Sequence, residues 1–153
     1  MSAPNVENRA IQPRGGYSEV LARLKLDEGF RQFLYRCTAN KLTIGYGFNL
    51  EDCGIPEVVA AFWLEYEVKE VERELAKNFP TYRVLDKVRQ DVLLNMAYNL
   101  GVPKLMEFRN MLSAICENDY ATAAKHMLDS KWAKQVGMRA QRLARAMETG
   151  REA

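Results

Sequence analysis

The sequence predicts an α+β protein that is mostly helical, and three observations lead there. From about position 56 onward, apolar residues return every third or fourth place through one segment after another, which is the period of amphipathic helices. Period-two patterning occupies positions 33–48 and is broken by a short polar turn, the mark of a β-hairpin. No internal repeat or low-complexity tract interrupts the 153 residues, of which 48% are hydrophobic, so the chain can form one domain with a real core.

Residues 1–16, MSAPNVENRAIQPRGG, are polar and rich in Pro and Gly, and read as a flexible arm before a single domain over 17–153. Ser18 is placed to cap a helix running to Glu28. Leu21, Leu24 and Glu28 are spaced three and four apart, so Glu28 shares the leucine face. A carboxyl there is expected to be partly desolvated, which raises its pKa toward what a general acid needs. Gly29 then ends the helix and leaves Glu28 at the C-terminal end of the dipole, which also resists negative charge.

Phe33, Tyr35 and Cys37 alternate on one strand, and Leu42, Ile44, Tyr46 and Phe48 on the next, with Thr38, Ala39, Asn40 and Lys41 as the turn. Gly45 and Gly47 leave room on the second strand's opposite face, which also carries Thr43. A polar loop is expected over 49–54. Pro56 then opens a long amphipathic helix on Ala61, Leu64, Val68, Val71 and Leu75, ending near Asn78. The acidic run within 65–74 reads as a solvated face with internal ion pairs.

Pro80 breaks the pattern and 86–100 resumes it as a buried helix closed by Gly101. Asn95 and Asn99 share one face of it; core amides bonded to backbone and polar lining of a cleft are both open readings. Phe108, Met111, Leu112 and Ile115 predict a further helix. Asp119 caps another that carries Ala123, Ala124, Met127 and Leu128. The last helix places Arg139, Arg142 and Arg145 three apart. Its basic face reads as solvated, and would favour an anionic wall or membrane surface.

Composition removes several classes of function. A net charge of +2 does not mark a nucleic-acid binder, and there is no secretory signal or membrane-length apolar run, so a cytoplasmic site of synthesis is expected. Three widely spaced cysteines fit a reduced protein, with Cys53 as a loop thiol and Cys116 as a small core residue. A single histidine, His126, leaves zinc amidase, HExxH protease and Ser-His triad chemistry without their imidazoles.

Glu28, eight residues, Cys37, five residues and Thr43, set within LDEGF and TIGYG, resemble the active-site signature of phage T4-type lysozymes, the endolysins of glycoside hydrolase family 24. Asn95-Met96 through Gly101, and Ser130-Lys131-Trp132 followed by Arg139, extend the resemblance to roughly 18–150. It implies a lysozyme-like fold in which a small N-terminal lobe with the hairpin is joined by a long helix to a helical C-terminal lobe. It also implies catalytic Glu28, Cys37 and Thr43, and substrate contacts at Phe48, Asn95, Asn99 and Arg139, with Arg139 beside Glu28, where its guanidinium would oppose the desolvation.

Cys37 stands where the family usually has a second carboxylate, and Phe48 where a His is often found. Glycoside hydrolysis needs an acid for the leaving oxygen and a second group opposite it; Glu28 is the acid, and Cys37 with Thr43 orients water, the other reading being Cys37 as a nucleophile that forms a covalent glycosyl intermediate. The substrate implied is bacterial peptidoglycan, cut between N-acetylmuramic acid and N-acetylglucosamine, with no metal or organic cofactor. A monomer is expected, held in the host bacterial cytoplasm until a holin admits it to the wall. A lytic transglycosylase, and a non-catalytic wall-binding or virion protein on the same scaffold, are the alternatives.

Overall fold

The computed structural model describes residues 17–152; the arm expected over 1–16 lies outside the described residues. The chain divides into two compact units between Glu57 and Val58. The first contains helix α1 (Ser18–Glu28), strands β1 (Arg31–Arg36), β2 (Leu42–Gly45) and β3 (Phe48–Asn49), and helix α2 (Leu50–Cys53). The strands form one antiparallel sheet in the order β1-β2-β3.

Tyr17, not Ser18, is the residue before α1, and no side chain caps that end. No residue of α1 is buried: Leu21 and Leu24 are 40% and 47% exposed, and Glu28 is exposed with them. The expected desolvation of Glu28 is therefore corrected. Charged residues are interleaved between the leucines, and the stripe they leave is too sparse to be covered. Gly29 does end the helix, at φ 66°, its N–H donating to the Lys25 carbonyl.

The hairpin turn falls where expected. Asn40 donates its N–H to the Cys37 carbonyl at 2.8 Å, and Cys37 donates to the Lys41 carbonyl at 3.0 Å. Asn40 sits at φ 58°, a left-handed conformation that asparagine tolerates. The expected continuous strand from Leu42 to Phe48 is instead two strands. Gly45 and Gly47 adopt φ 67° and 78°, reversing the chain so that Ile44 pairs with Phe48 and Thr43 with Asn49. Thr43 and Gly45 take the buried side, while Phe33 is 76% exposed, against the expected stripe. The expected loop over 49–54 is α2, capped by Asn49, whose Oδ1 accepts the Asp52 N–H. Lys41 to Asp52 at 2.8 Å and the Leu42 N–H to Glu51 at 3.1 Å tie that helix to the hairpin.

The second unit holds α3 (Glu57–Asn78), a 3-10 turn over Pro80–Val84, α4 (Lys87–Leu100), α5 (Val102–Leu105), α6 (Arg109–Cys116), α7 (Tyr120–Leu128), α8 (Lys131–Val136) and α9 (Met138–Thr149). Its core is built on fully buried Leu75, Leu93, Met96, Leu105, Met111, Ile115, Met127 and Met147. Asp86 caps α4 and Asp119 caps α7, each accepting a backbone N–H three residues on. The α3 stripe is buried at its C-terminal end alone, at Leu75 and Ala76. On α4, burial is confined to one side, at Val92, Leu93, Met96 and Ala97, so the helix is less enclosed than its composition suggested. Cys116 is exposed rather than core, with Thr81 Oγ1 at 3.5 Å, and Leu128 is exposed too. Arg142 and Arg145 are exposed on α9, as a solvated basic face requires.

Candidate active site

In the first unit, Glu28 is the last helical residue of α1, and the glycine turn after β2 is pressed against it. A methyl group placed on Gly47 would stand 2.8 Å from Glu28 Oε2 and make the carboxylate shift, and the φ of 78° there favours glycine. Tyr46 anchors the turn. Its ring packs on Phe30, 5.4 Å between centroids and tilted 50°, and Lys25 Nζ lies 5.8 Å from its centre.

Cys37 and Thr43 meet at the turn end of the β1-β2 ladder. Thr43 is buried at 2% exposure and its hydroxyl donates to the Lys41 carbonyl at 2.9 Å. Cys37 is half-buried. The Lys41 backbone amide and then the Thr43 hydroxyl hold its thiol below the ordinary range, against a smaller opposing effect of burial. The Thr43 hydroxyl has one proton to give. It serves the Lys41 carbonyl here, and it can turn to the sulfur when Cys37 is a thiolate. Phe48 is exposed, and its ring packs against Gly45, where a Cβ would meet Cδ2 at 2.9 Å.

In the second unit the amides of α4 bond to side chains rather than to backbone donors. Arg139 donates from Nε and Nη2 to Asn95 Oδ1 at 2.9 and 2.6 Å, and from Nη2 to the Asn95 carbonyl at 3.3 Å. Trp132, buried on α8, donates its Nε1–H to Asn99 Oδ1 at 2.8 Å. Among the described residues, no three of His, Cys, Asp and Glu converge as a metal site would require.

Sequence reasoning did not find Lys41, Tyr46 or the role of Trp132. The signal for Trp132 was its own polar edge, since a buried indole N–H needs an acceptor. Lys41 and Tyr46 act through the turns that place them, and no period reveals that.

The sequence model of the family described as phage lysozyme matches residues 25–150, which run through both units. The chain is similar to probable T4-type lysozyme 1 of Dictyostelium discoideum, 28% identical over 164 residues that cover 87% of this chain and 95% of that protein. It is 28% identical over 166 residues to the pre-baseplate central spike protein Gp5 of Enterobacteria phage T4, covering 90% of this chain and 28% of that protein. Probable T4-type lysozyme 2 of Dictyostelium discoideum is 33% identical over 69 residues, 45% of this chain and 41% of that protein.

Proposed function

The chain belongs to the phage lysozyme family and is a lysozyme-type glycoside hydrolase; from that premise we propose that it hydrolyses the β-1,4 bond between N-acetylmuramic acid and N-acetylglucosamine in bacterial peptidoglycan. Glu28 gives its proton to the glycosidic oxygen as the bond to the muramic acid anomeric carbon breaks. A water held by Cys37 and Thr43 forms the new bond to that carbon and passes a proton to the Cys37 thiolate. Solvent exchange then returns Cys37 and Glu28 to their starting states.

The observation that carries this reading is the Cys37 thiol set between the Lys41 amide and the Thr43 hydroxyl. Those two groups favour the thiolate, so sulfur can accept a proton where the family usually has a carboxylate. Phe48, Asn95, Asn99 and Arg139 are the proposed sugar contacts. In this reading the enzyme stays in the host cytoplasm until a holin opens the inner membrane, and works as a monomer at the wall. Among the described residues no helix is long and apolar enough to cross a membrane.

Mass spectrometry of fragments released from purified peptidoglycan tests the reaction. Reducing-end muramic acid, one water heavier than the anhydro form, is expected. Anhydro-muramic ends would make the protein a lytic transglycosylase, a reading favoured by the missing carboxylate at position 37. No fragments from folded protein would favour a wall-binding virion component, to which the similarity to a spike protein over 90% of this chain points.

A further inference from the structure

The setting of the Cys37 thiol depends on where residue 41 stands. The Lys41 carbonyl accepts the Cys37 N–H at 3.0 Å and the Thr43 hydroxyl at 2.9 Å, while the Lys41 N–H is directed at the sulfur. Yet the chain leaves the ladder between Arg36 and Leu42, and Thr38, Ala39 and Asn40 are exposed. No apolar packing fixes such a turn, so something polar has to.

The fixing groups come from α2. Asp52 Oδ1 takes the Lys41 ammonium at 2.8 Å, and Glu51 Oε1 lies 3.6 Å from it. The other Glu51 oxygen accepts the Leu42 N–H at 3.1 Å and lies 3.7 Å from Arg36 Nη1, which itself donates to the Asn40 carbonyl at 2.8 Å. Two adjacent carboxylates thus grip the turn on both sides. Asn49 holds one of them in place: it accepts the Asp52 N–H, donates from Nδ2 to Asp52 Oδ2 at 2.9 Å, and pairs with Thr43 in the sheet. The charged side chains are well exposed, so as ion pairs they add little stability. Position is the better account of why both acids converge here.

We propose that Glu51 and Asp52 are positioning residues, which clamp Lys41 and Leu42 so that the turn keeps its amide and the Thr43 hydroxyl directed at the Cys37 sulfur. This rests on the reading of Cys37 as the group that accepts a proton from water. Glu51 and Asp52 act through Lys41 and Leu42 rather than on the reacting atoms.

Position and charge make opposite demands on the sulfur. The charged groups around the turn are Arg36 from β1, Lys41 from the turn itself, and Glu51 and Asp52 from α2. Removing two negative charges would by itself favour the thiolate. Releasing the turn withdraws the donors that stabilise the thiolate, and so disfavours it.

The test reads Cys37 directly. In full-length protein carrying Cys53→Ser and Cys116→Ser, Cys37 is the remaining thiol, and its rate of alkylation by iodoacetamide follows the thiolate fraction across pH. Glu51→Ala with Asp52→Ala is expected to slow alkylation at pH 7 about threefold, and to move its midpoint and the rising limb of kcat/KM to higher pH. Asp52→Ala alone, which leaves Glu51 on Leu42, should act in the same direction and less. Glu51→Gln with Asp52→Asn keeps the acceptor oxygens without the charge, and should return alkylation to within about twofold of the parent. Glu70→Ala, which removes an exposed ion pair to Arg73 on α3, should change nothing. Melting curves show that each variant is folded.

Unchanged or faster alkylation in the alanine variants, or an amide pair as slow as the alanine pair, would overturn the proposal. If alkylation slows as expected but the wild-type protein releases no wall fragments, hydrolysis fails and the clamp stands. If fragments are released while alkylation is unmoved, hydrolysis stands and the clamp fails.

Discussion

Position 37 puts a sulfur where the chemistry calls for a base, and its two neighbours decide whether sulfur can serve. The Lys41 amide and Thr43 hydroxyl lower its pKa, so the thiolate is populated below the about 8.5 of a free thiol. The rising limb of kcat/KM against pH is therefore expected below that value. Cys37→Ser should abolish this limb and cost about 10²-fold or more in rate; full activity with the limb intact would remove Cys37 from the mechanism. Gly47 is the second single-residue test. Gly47→Ala puts a Cβ at φ 78° and 2.8 Å from Glu28 Oε2, so the carboxylate must shift; it is expected to lower activity and to cost about 1 kcal/mol of stability. Gly54→Ala is its control: φ is 63° but nothing lies within 4 Å, so the backbone penalty should appear without loss of turnover. Melting curves and wall-clearing rates on both variants separate the two effects.

Helices α4 and α9 are clasped at both ends by guanidinium groups pointing in opposite directions. Arg139 at the start of α9 reaches Asn95. Arg89 near the start of α4 donates to the Met147 and Glu148 carbonyls at 2.8 and 3.0 Å, stacks 3.6 Å from the Tyr120 ring centre, and pairs with Asp86 at 2.7 Å. Those carbonyls are in the last turn of α9, which has no helical donors for them. Arg89→Met should therefore destabilise the protein by about 2 kcal/mol, read as a lower urea midpoint at unchanged slope. Neither clasp could be read from sequence, since each joins positions more than 40 apart. The helices themselves were legible wherever an apolar stripe coincided with a cap or a closing glycine, as at Asp119 and Gly101. The second hairpin strand was misread because alternation continued across Gly45 and Gly47, where left-handed backbone reverses the chain regardless of the side-chain pattern. Exposure of the α1 leucines was misread because period shows which residues share a face, not whether anything covers it. At the site, the spacing of Glu28, Cys37 and Thr43 was legible as local sequence, whereas the Trp132 contact to Asn99 spans 33 residues and needed the fold.

Across the whole molecule, the hydrophobic core runs from Leu75 to Met147 and lies in the second unit. Carboxylates supply the pH dependence of stability. Lys41, then Asn49, hold Asp52 below the usual range, and Thr122 does the same for Asp119. At Asp86 burial acts upward and is outweighed by the Arg89 side chain and amide. With folded pKa values depressed below the unfolded value of about 3.9, their contribution is fully present above about pH 4 and is lost as pH falls through the folded values. The melting temperature should thus be level near neutrality and fall in acid, and Asp86→Asn should flatten that fall. The central claim is that Glu28 protonates the leaving oxygen while water becomes the new hydroxyl. Its most direct test is digestion of purified peptidoglycan in water enriched in heavy oxygen, comparing wild-type protein with Glu28→Gln by mass spectrometry. The account predicts one heavy oxygen at each new muramic acid reducing end for the wild type, and no fragments from a normally folded Glu28→Gln protein. Anhydro ends from the wild type, or labelled fragments from Glu28→Gln at the wild-type rate, would contradict it.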